Sequence, residues 1–96
     1  MNISEAQNLI FEIYGKKDRN RGTAGTFMYL IEEVGELATA IREESKEQIA
    51  SEFADVLAWT LSVASLEGID IEKAFKEKYL VCDGCGMIPC KCNSKP

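Results

Sequence analysis

Apolar residues recur three and four positions apart along most of the chain, a spacing that predicts amphipathic α-helices. In residues 3–14 (ISEAQNLIFEIY) they form one stripe along a first helix. Ser4 and Gln7 have the spacing of a capping box at its start, and Gly15 is predicted to end it. The glycine-containing segment 15–25 (GKKDRNRGTAG) is then expected to be a mobile, solvated loop that is rich in cations.

The same periodicity predicts two further long helices and one short helix. The second helix extends over about residues 26–44. The third begins at Ser45, with Gln48 completing a capping box, and ends before Gly68. A fourth helix follows over about residues 70–79. Because no strand pattern occurs, we predict an all-α fold of about four helices.

Residues 56–66 (VLAWTLSVASL) of the third predicted helix contain no charge. Phe53 and Leu57 face one side of this helix, whereas Trp59 and Val63 face nearly the opposite side. A helix that is apolar on both sides is buried on both sides, and so short a chain has few helices to cover it. We therefore predict that contact between subunits completes the bundle.

Composition narrows the class of protein. The chain of 96 residues forms one small domain with a marginal core, and its net charge of −5 disfavours nucleic acid or an anionic membrane as a partner. No uninterrupted apolar run reaches the roughly 20 residues of a membrane span, and the first residues lack signal-peptide features, so we expect a cytoplasmic location. The absence of histidine excludes Ser-His-Asp and Cys-His catalysis.

Five carboxylates stand at helical spacing. Glu33 and Glu36 form one pair three positions apart, Glu52 and Asp55 form a second, and Glu32 adjoins the first. Side chains at this spacing are neighbours, so two carboxylates repel unless they share a cation. If the second and third helices form an antiparallel hairpin, four acids can surround one Mg²⁺ or Mn²⁺ ion. The alternative is a solvated acidic surface.

Residues 32–37 (EEVGEL) and 52–56 (EFADV) together resemble the E-E-x-x-E … E-x-x-D signature of the MazG-like nucleoside triphosphate pyrophosphohydrolases. The resemblance covers roughly residues 3–80, and includes Arg21-Gly22 and residues 66–71 (LEGIDI). It implies a MazG-like helical bundle that assembles as a homodimer or homotetramer. It also implies Mg²⁺-dependent hydrolysis of a nucleoside triphosphate to the monophosphate and pyrophosphate, an activity that removes non-standard nucleotides.

The resemblance also implies roles for individual residues. By this resemblance the Mg²⁺ ligands are Glu33, Glu36, Glu52 and Asp55. Glu32 is then a supporting ligand or a residue that positions a water molecule. A triphosphate needs cations from the protein, and the predicted loop offers Lys16, Lys17, Arg19 and Arg21. Three aromatic residues can stack a base, namely Trp59, Phe27 and Tyr29, but a core position is the more common role for each of them.

The cysteines all lie within residues 82–92, as C-x-x-C and C-x-C separated by four residues. Four thiolates suit tetrahedral zinc, and they are Cys82, Cys85, Cys90 and Cys92. Because a four-cysteine site leaves no open position, such a zinc ion is structural. Free or redox-active thiols are the alternative. We thus divide the chain into a MazG-like domain in residues 1–80 and a Cys-rich tail in residues 81–96.

A function from another class also fits the sequence. In this interpretation the chain is a non-enzymatic, zinc-stapled helical module for oligomerisation or interaction, and its acids bind a partner or nothing. It predicts no divalent cation at the acids and no phosphate release from any nucleotide, whereas the enzyme predicts both.

Overall fold

The computed structural model describes residues 1–95 and consists of four α-helices with short connections. They are α1 (Ile3–Arg21), α2 (Thr23–Glu43), α3 (Lys46–Leu66) and α4 (Ile71–Lys78). No strand occurs in residues 1–95, and the predicted all-α fold with about four helices is confirmed. Pro96, the last residue of the predicted tail, lies outside the described residues.

Helices α2 and α3 form an antiparallel hairpin. Only Glu44 and Ser45 separate them, and the predicted capping box at Ser45 is present. Its hydroxyl accepts the backbone N–H of Gln48 at 3.4 Å, and Gln48 Oε1 accepts the N–H of Ser45 at 3.3 Å. α1 packs mainly on α3, and α4 packs on α1. The hairpin is therefore the scaffold on which α1 rests, and α4 rests on α1.

The predicted cap of the first helix was wrong. Asn2, not Ser4, is the N-cap, since Asn2 Oδ1 accepts the N–H of Glu5 at 2.8 Å and Glu5 Oε1 accepts the N–H of Asn2 at 2.9 Å. Asn2 and Glu5 satisfy the capping-box pattern two residues earlier than predicted. Ser4 then lies in the first turn, where its backbone N–H donates to Glu72 of α4 at 3.3 Å. This contact supplies a partner that first-turn N–H groups lack within a helix.

The predicted end at Gly15 was also wrong, because α1 continues to Arg21. Gly15 is buried under the ring of Phe11, and a Cβ built there would lie 3.1 Å from that ring. Packing therefore outweighs the roughly 1 kcal/mol by which glycine disfavours a helix interior. The chain breaks instead at Gly22, whose φ of 85° and ψ of 168° lie in a region that is essentially restricted to glycine. The cations expected in a mobile loop are thus on an ordered helix.

The buried interior is small and partly polar. Its apolar members are Ala40, Leu61 and Ala64, and its polar members are Gln7, Asp18, Thr26 and Ser62. The Gln7 amide ties α1 to the connection before α4. Its Nε2 donates to Ser65 Oγ at 3.1 Å and to the Ile69 carbonyl at 2.8 Å, and its Oε1 accepts the N–H of Ile71 at 3.1 Å. This side chain fixes where the chain turns after α3.

One side of the α2–α3 hairpin remains open. Ile31 and Ile41 of α2 are 51% and 55% exposed, and Phe53 and Leu57 of α3 are 55% and 54% exposed. The single chain therefore buries only part of the apolar surface that the periodicity predicted to be covered. We call the face that contains these four residues the open face.

Helix α3 is long and apolar enough to cross a membrane, judged by length and composition alone. The sequence predicts no membrane-spanning segment when only apolar runs without charges are considered. The criterion of length and composition tolerates a few charged residues within the helix. Core helices of helical bundles have the same composition, so this property does not distinguish the two environments. In this structure α3 places Glu52 and Asp55 beside α2 and α1.

Candidate functional site

Three carboxylates converge between α2 and α3. Glu33, Glu36 and Glu52 each place one carboxylate oxygen within 4.8 Å of the others, and we call these three residues the acid cluster. The spacing of three residues puts Glu33 and Glu36 on one face of α2, and the antiparallel hairpin brings Glu52 opposite them. Three of the four predicted metal ligands therefore meet, as the hairpin hypothesis requires.

The other two predicted acids flank the acid cluster. Asp55 is close enough for its charge to act on Glu33, but it lies outside the 4.8 Å group and lines a neighbouring cavity instead. Glu32 lines an open groove of about 480 Å³ together with Glu36 and Glu52. The five acids thus form a continuous band from the groove, through the acid cluster, to the cavity.

Two oxygens of the acid cluster lack partners. Glu33 Oε2 and Glu52 Oε2 are buried and accept no hydrogen bond from any described residue. A buried polar atom without a partner costs about 1–3 kcal/mol, and more when the group is charged. Two such atoms in one cluster are unfavourable in the protein alone, and a cation bound by both would remove the cost.

The pKa of Glu33 is raised from 4.5 to about 7. Burial is the largest cause, followed by the adjacent Glu36 and by the negative charges of Asp55 and Glu52. Glu33 therefore resists ionisation near neutral pH while no cation is present. A bound divalent cation reverses this effect, because opposite charge favours the ionised carboxylate.

The donor set determines which metal ions fit. All three side chains offer hard carboxylate oxygens, and neither a thiol nor an imidazole joins them in the described chain. Oxygen donors suit Mg²⁺ or Mn²⁺ and disfavour soft ions. The unpartnered oxygens and the chemistry of the donors therefore both fit a hard divalent cation.

A cavity of about 280 Å³ adjoins this band of acids on the side of α1. Its lining includes Lys17 and Arg21 of α1 with Asp55 and Trp59 of α3. Negative, positive and aromatic groups thus meet in one concave space beside the acid cluster.

Arg21 is one of the residues that line this cavity. Its Nη1 donates to Asp18 Oδ1 at 3.1 Å and to Thr26 Oγ1 at 3.4 Å. Its Cζ lies 5.1 Å from the ring centroids of both Tyr29 and Trp59, which stack on each other at 5.2 Å. Cation–π contact and a buried carboxylate therefore hold the guanidinium in one position.

The four predicted phosphate-binding cations separate in the structure. Lys17 and Arg21 line the cavity, whereas Lys16 is exposed and does not line it. Arg19 lies over the ring of Phe11, with Cζ at 5.1 Å from the centroid. Successive helical positions point in different directions, so an ordered α1 cannot present all four cations to one ligand.

Sequence reasoning did not identify Asp18, which is only 3% exposed. The spacing of Asp18 and Arg21, which form an ion pair three residues apart, was the available signal. The sequence predicts a loop at residues 15–25, whereas the structure places both residues on α1. In a loop such spacing has no directional meaning.

The predicted thiol cluster is present after α4. All four Sγ atoms, those of Cys82, Cys85, Cys90 and Cys92, lie within 4.8 Å of one another, and all four thiols are free. Hydrogen bonds from backbone N–H groups, that of Lys91 first, lower the pKa of Cys85 to about 6. The neighbouring Cys90 thiol is the largest cause that raises the pKa of Cys92, to about 11.

Comparison with known proteins gives one family. The MazG nucleotide pyrophosphohydrolase domain matches residues 22–80, which is more than half of the chain and includes the whole acid cluster. No curated protein sequence matches the chain. The match begins at Gly22, where the chain breaks between α1 and α2, and it extends through α4. On this match, the chain belongs to the family of MazG nucleotide pyrophosphohydrolase domains.

Proposed function

We propose that the chain hydrolyses nucleoside triphosphates to the monophosphate and pyrophosphate, in a reaction that depends on Mg²⁺. The observation that carries this proposal is the pair of buried, unpartnered oxygens of Glu33 and Glu52 inside the acid cluster. Membership of the MazG family supplies the reaction class. Removal of non-standard nucleotides in the cytoplasm is the cellular role that we propose.

In this proposal Glu33, Glu36 and Glu52 hold the metal, and Asp55 completes the set from the cavity side. When bound, Mg²⁺ neutralises phosphate charge and lowers the pKa of a water molecule. Glu32 lies at the edge of the acid cluster, on the groove that Glu36 and Glu52 also line. From there it can orient a water molecule or accept its proton.

The cavity beside Asp55 is the proposed nucleotide site. Lys17 and Arg21 provide two positive charges for the triphosphate. Arg21 is held by Asp18 and the aromatic pair, so little conformational entropy is lost when it binds an anion. We propose weaker roles for Lys16 and Arg19, through the long-range field of α1 only. The exposed faces of Trp59 and Tyr29 offer stacking surface to a base.

We further propose that the chain is a homodimer or a homotetramer. The open face exposes large apolar residues of both hairpin helices, which are Ile31, Ile41, Phe53 and Leu57. A contiguous apolar face of this kind marks an interaction surface, and a second copy of the chain presents the same face. The four-helix arrangement would then have a core on both sides of the hairpin.

The experiment is pyrophosphate release from a panel of standard and modified nucleoside triphosphates, with and without Mg²⁺. We expect release only with Mg²⁺, and its loss in Glu36→Gln and Glu52→Gln. Glu47→Gln is the matched control, because Glu47 is an exposed acid in the first turn of α3. Turnover at the wild-type rate in both acid-cluster variants would contradict the proposal.

The same experiment addresses the non-enzymatic alternative. If the wild-type protein releases no phosphate from any nucleotide and millimolar Mg²⁺ does not raise its melting temperature, the acids bind no substrate metal. The chain would then be an oligomerisation or interaction module. Mg²⁺ that binds only the native state must stabilise it, so the melting experiment detects binding without turnover.

A further inference from the structure

The tail after α4 carries a site that the family match does not include. The match ends at residue 80, and the cysteines lie between Cys82 and Cys92. This segment forms turns and bends without helix or strand as far as it is described. It buries almost nothing, since Leu80 and Ile88 are each 75% exposed. A hydrophobic core therefore does not explain why the tail has a defined conformation.

The thiols have the geometry of a tetrahedral metal site. Cys82 Sγ lies 3.5 Å from Cys90 Sγ and 3.9 Å from Cys92 Sγ, and all four Sγ atoms lie within 4.8 Å of one another. Four sulfurs that surround zinc at about 2.3 Å lie about 3.8 Å apart. Two disulfides would require the cysteines to meet only in pairs. Convergence of all four on one point is the arrangement that a single metal ion needs.

Backbone N–H groups point at two of the sulfurs. The N–H of Lys91 donates to Cys85 Sγ at 3.3 Å, and the N–H of Cys92 donates to Cys90 Sγ at 3.3 Å. Donors of this kind stabilise negative charge on sulfur and orient the ligand. If all four thiols lost their protons at these distances, the four negative charges would repel one another, and a positive ion at the centre would remove that repulsion.

A hydrogen-bonded turn brings the two pairs of cysteines together. The carbonyl of Cys82 accepts the N–H of Gly86 at 2.8 Å, and the N–H of Cys82 donates to the Met87 carbonyl at 3.2 Å. Gly86 has a φ of 74°, which favours glycine over other residues. The chain thereby reverses directly after Cys85, and Cys90 and Cys92 return to the first pair.

We propose that Cys82, Cys85, Cys90 and Cys92 bind one zinc ion in a closed, structural site that orders the tail. Thiolates prefer zinc, and carboxylate oxygens prefer Mg²⁺ or Mn²⁺, so this site and the acid cluster select different metals. All four positions around the zinc are occupied by the protein, which leaves none for a substrate. The proposal does not depend on the pyrophosphohydrolase function.

The test uses the full chain, purified under reducing conditions without a chelator. Elemental analysis is expected to find one zinc ion per chain. After replacement of zinc by Co²⁺, the absorption spectrum should show the sulfur-to-cobalt charge transfer and the intense visible bands of tetrahedral thiolate coordination. The double variant Cys85→Ser/Cys90→Ser should lose both the zinc and these bands. Asp83→Asn is the matched control and should keep both, because Asp83 is exposed and its carboxylate pairs with Lys78 Nζ at 3.9 Å.

Circular dichroism of both variants checks that the helices persist, and the wild-type cobalt spectrum tests the site without any variant. Background levels of zinc in the wild-type protein, iron in its place, or a six-coordinate cobalt spectrum would overturn the assignment. Retention of zinc by the double variant would overturn it as well.

Discussion

Replacement of Glu33 by glutamine should stabilise the metal-free protein, although it removes a residue that we place in the active site. The pKa of Glu33 is raised from 4.5 to about 7 by burial and by its acidic neighbours. Since one pKa unit corresponds to about 1.4 kcal/mol, the cost of ionising Glu33 in the folded protein is at most about 3 kcal/mol. Solvent screening at this half-buried position reduces it to roughly 1–2 kcal/mol.

The dependence on pH follows from the direction of the pKa shift. Below pH 4.5 Glu33 is protonated in both the folded and the unfolded chain, so it contributes nothing to the free energy of unfolding. Between pH 4.5 and about 7 the unfolded chain loses this proton while the folded chain keeps it. The contribution of Glu33 to wild-type stability therefore falls over this range and then levels off. Glutamine does not titrate, so the advantage of the variant should appear across the same range.

The assay is thermal unfolding at fixed protein concentration in the presence of a chelator, at pH 4 and pH 8. A gain of 1–2 kcal/mol corresponds to roughly 4–16 °C for a domain of this size, and we expect it at pH 8 only. Millimolar Mg²⁺ should then raise the melting temperature of the wild type more than that of Glu33→Gln. Glu47→Gln should show neither effect. A variant less stable than the wild type at pH 8 without metal, or equal Mg²⁺ stabilisation of both, would refute the reasoning.

Three further predictions concern other parts of the molecule. Lys17→Ala should lower kcat/KM at least about tenfold in steady-state kinetics, since a charge-assisted hydrogen bond contributes about 1.5–3 kcal/mol. Lys16→Ala should leave kcat/KM nearly unchanged, and equal losses in the two variants would place the phosphates elsewhere. Gly22→Ala should destabilise the fold by about 1–3 kcal/mol in denaturant titration, because a residue with a Cβ is strained at the φ of 85° found there. Gly35 also has open space around it but lies within a helix, so Gly35→Ala should be neutral or slightly stabilising. Phe53→Asp should dissociate the oligomer in light scattering, and an unchanged mass would exclude this face as the interface.

The parts of the fold that local chemistry decides were predictable. Ser45 and Gln48 form the predicted cap because both partners lie within one turn. The sequence predicts that Glu36 and Glu52 meet if α2 and α3 form an antiparallel hairpin, and the connection of two residues in the structure provides that hairpin. Each prediction needed only helical periodicity and a short loop.

The parts that tertiary packing decides were not predictable. Helix propensity predicts that the first helix ends at Gly15, but the ring of Phe11 packs over this glycine and α1 continues. That continuation carries Arg21 to the aromatic pair, where a mobile loop would have left its position undefined. One wrong helix boundary therefore concealed the shape of the cavity. The exposure of Ile41 and Phe53 likewise depends on which sides the other helices cover, and the periodicity of a single helix does not contain this information.

A single helical register connects the acid cluster to the cavity. Tyr29 stacks on Trp59, and Glu36 meets Glu52. Both pairs belong to one antiparallel register, in which each step forward along α2 is matched by one step backward along α3. In this register the residue opposite Glu33 is Asp55, whose charge acts on it. The aromatic pair therefore lies about 6 to 10 Å along the helix axis from the acids of α2, at a rise of about 1.5 Å per residue. A displacement of the hairpin by one turn would separate the acids and the aromatic rings together. The register that brings the acids together thus also positions the aromatic wall of the cavity, because both depend on the same two-residue connection between α2 and α3.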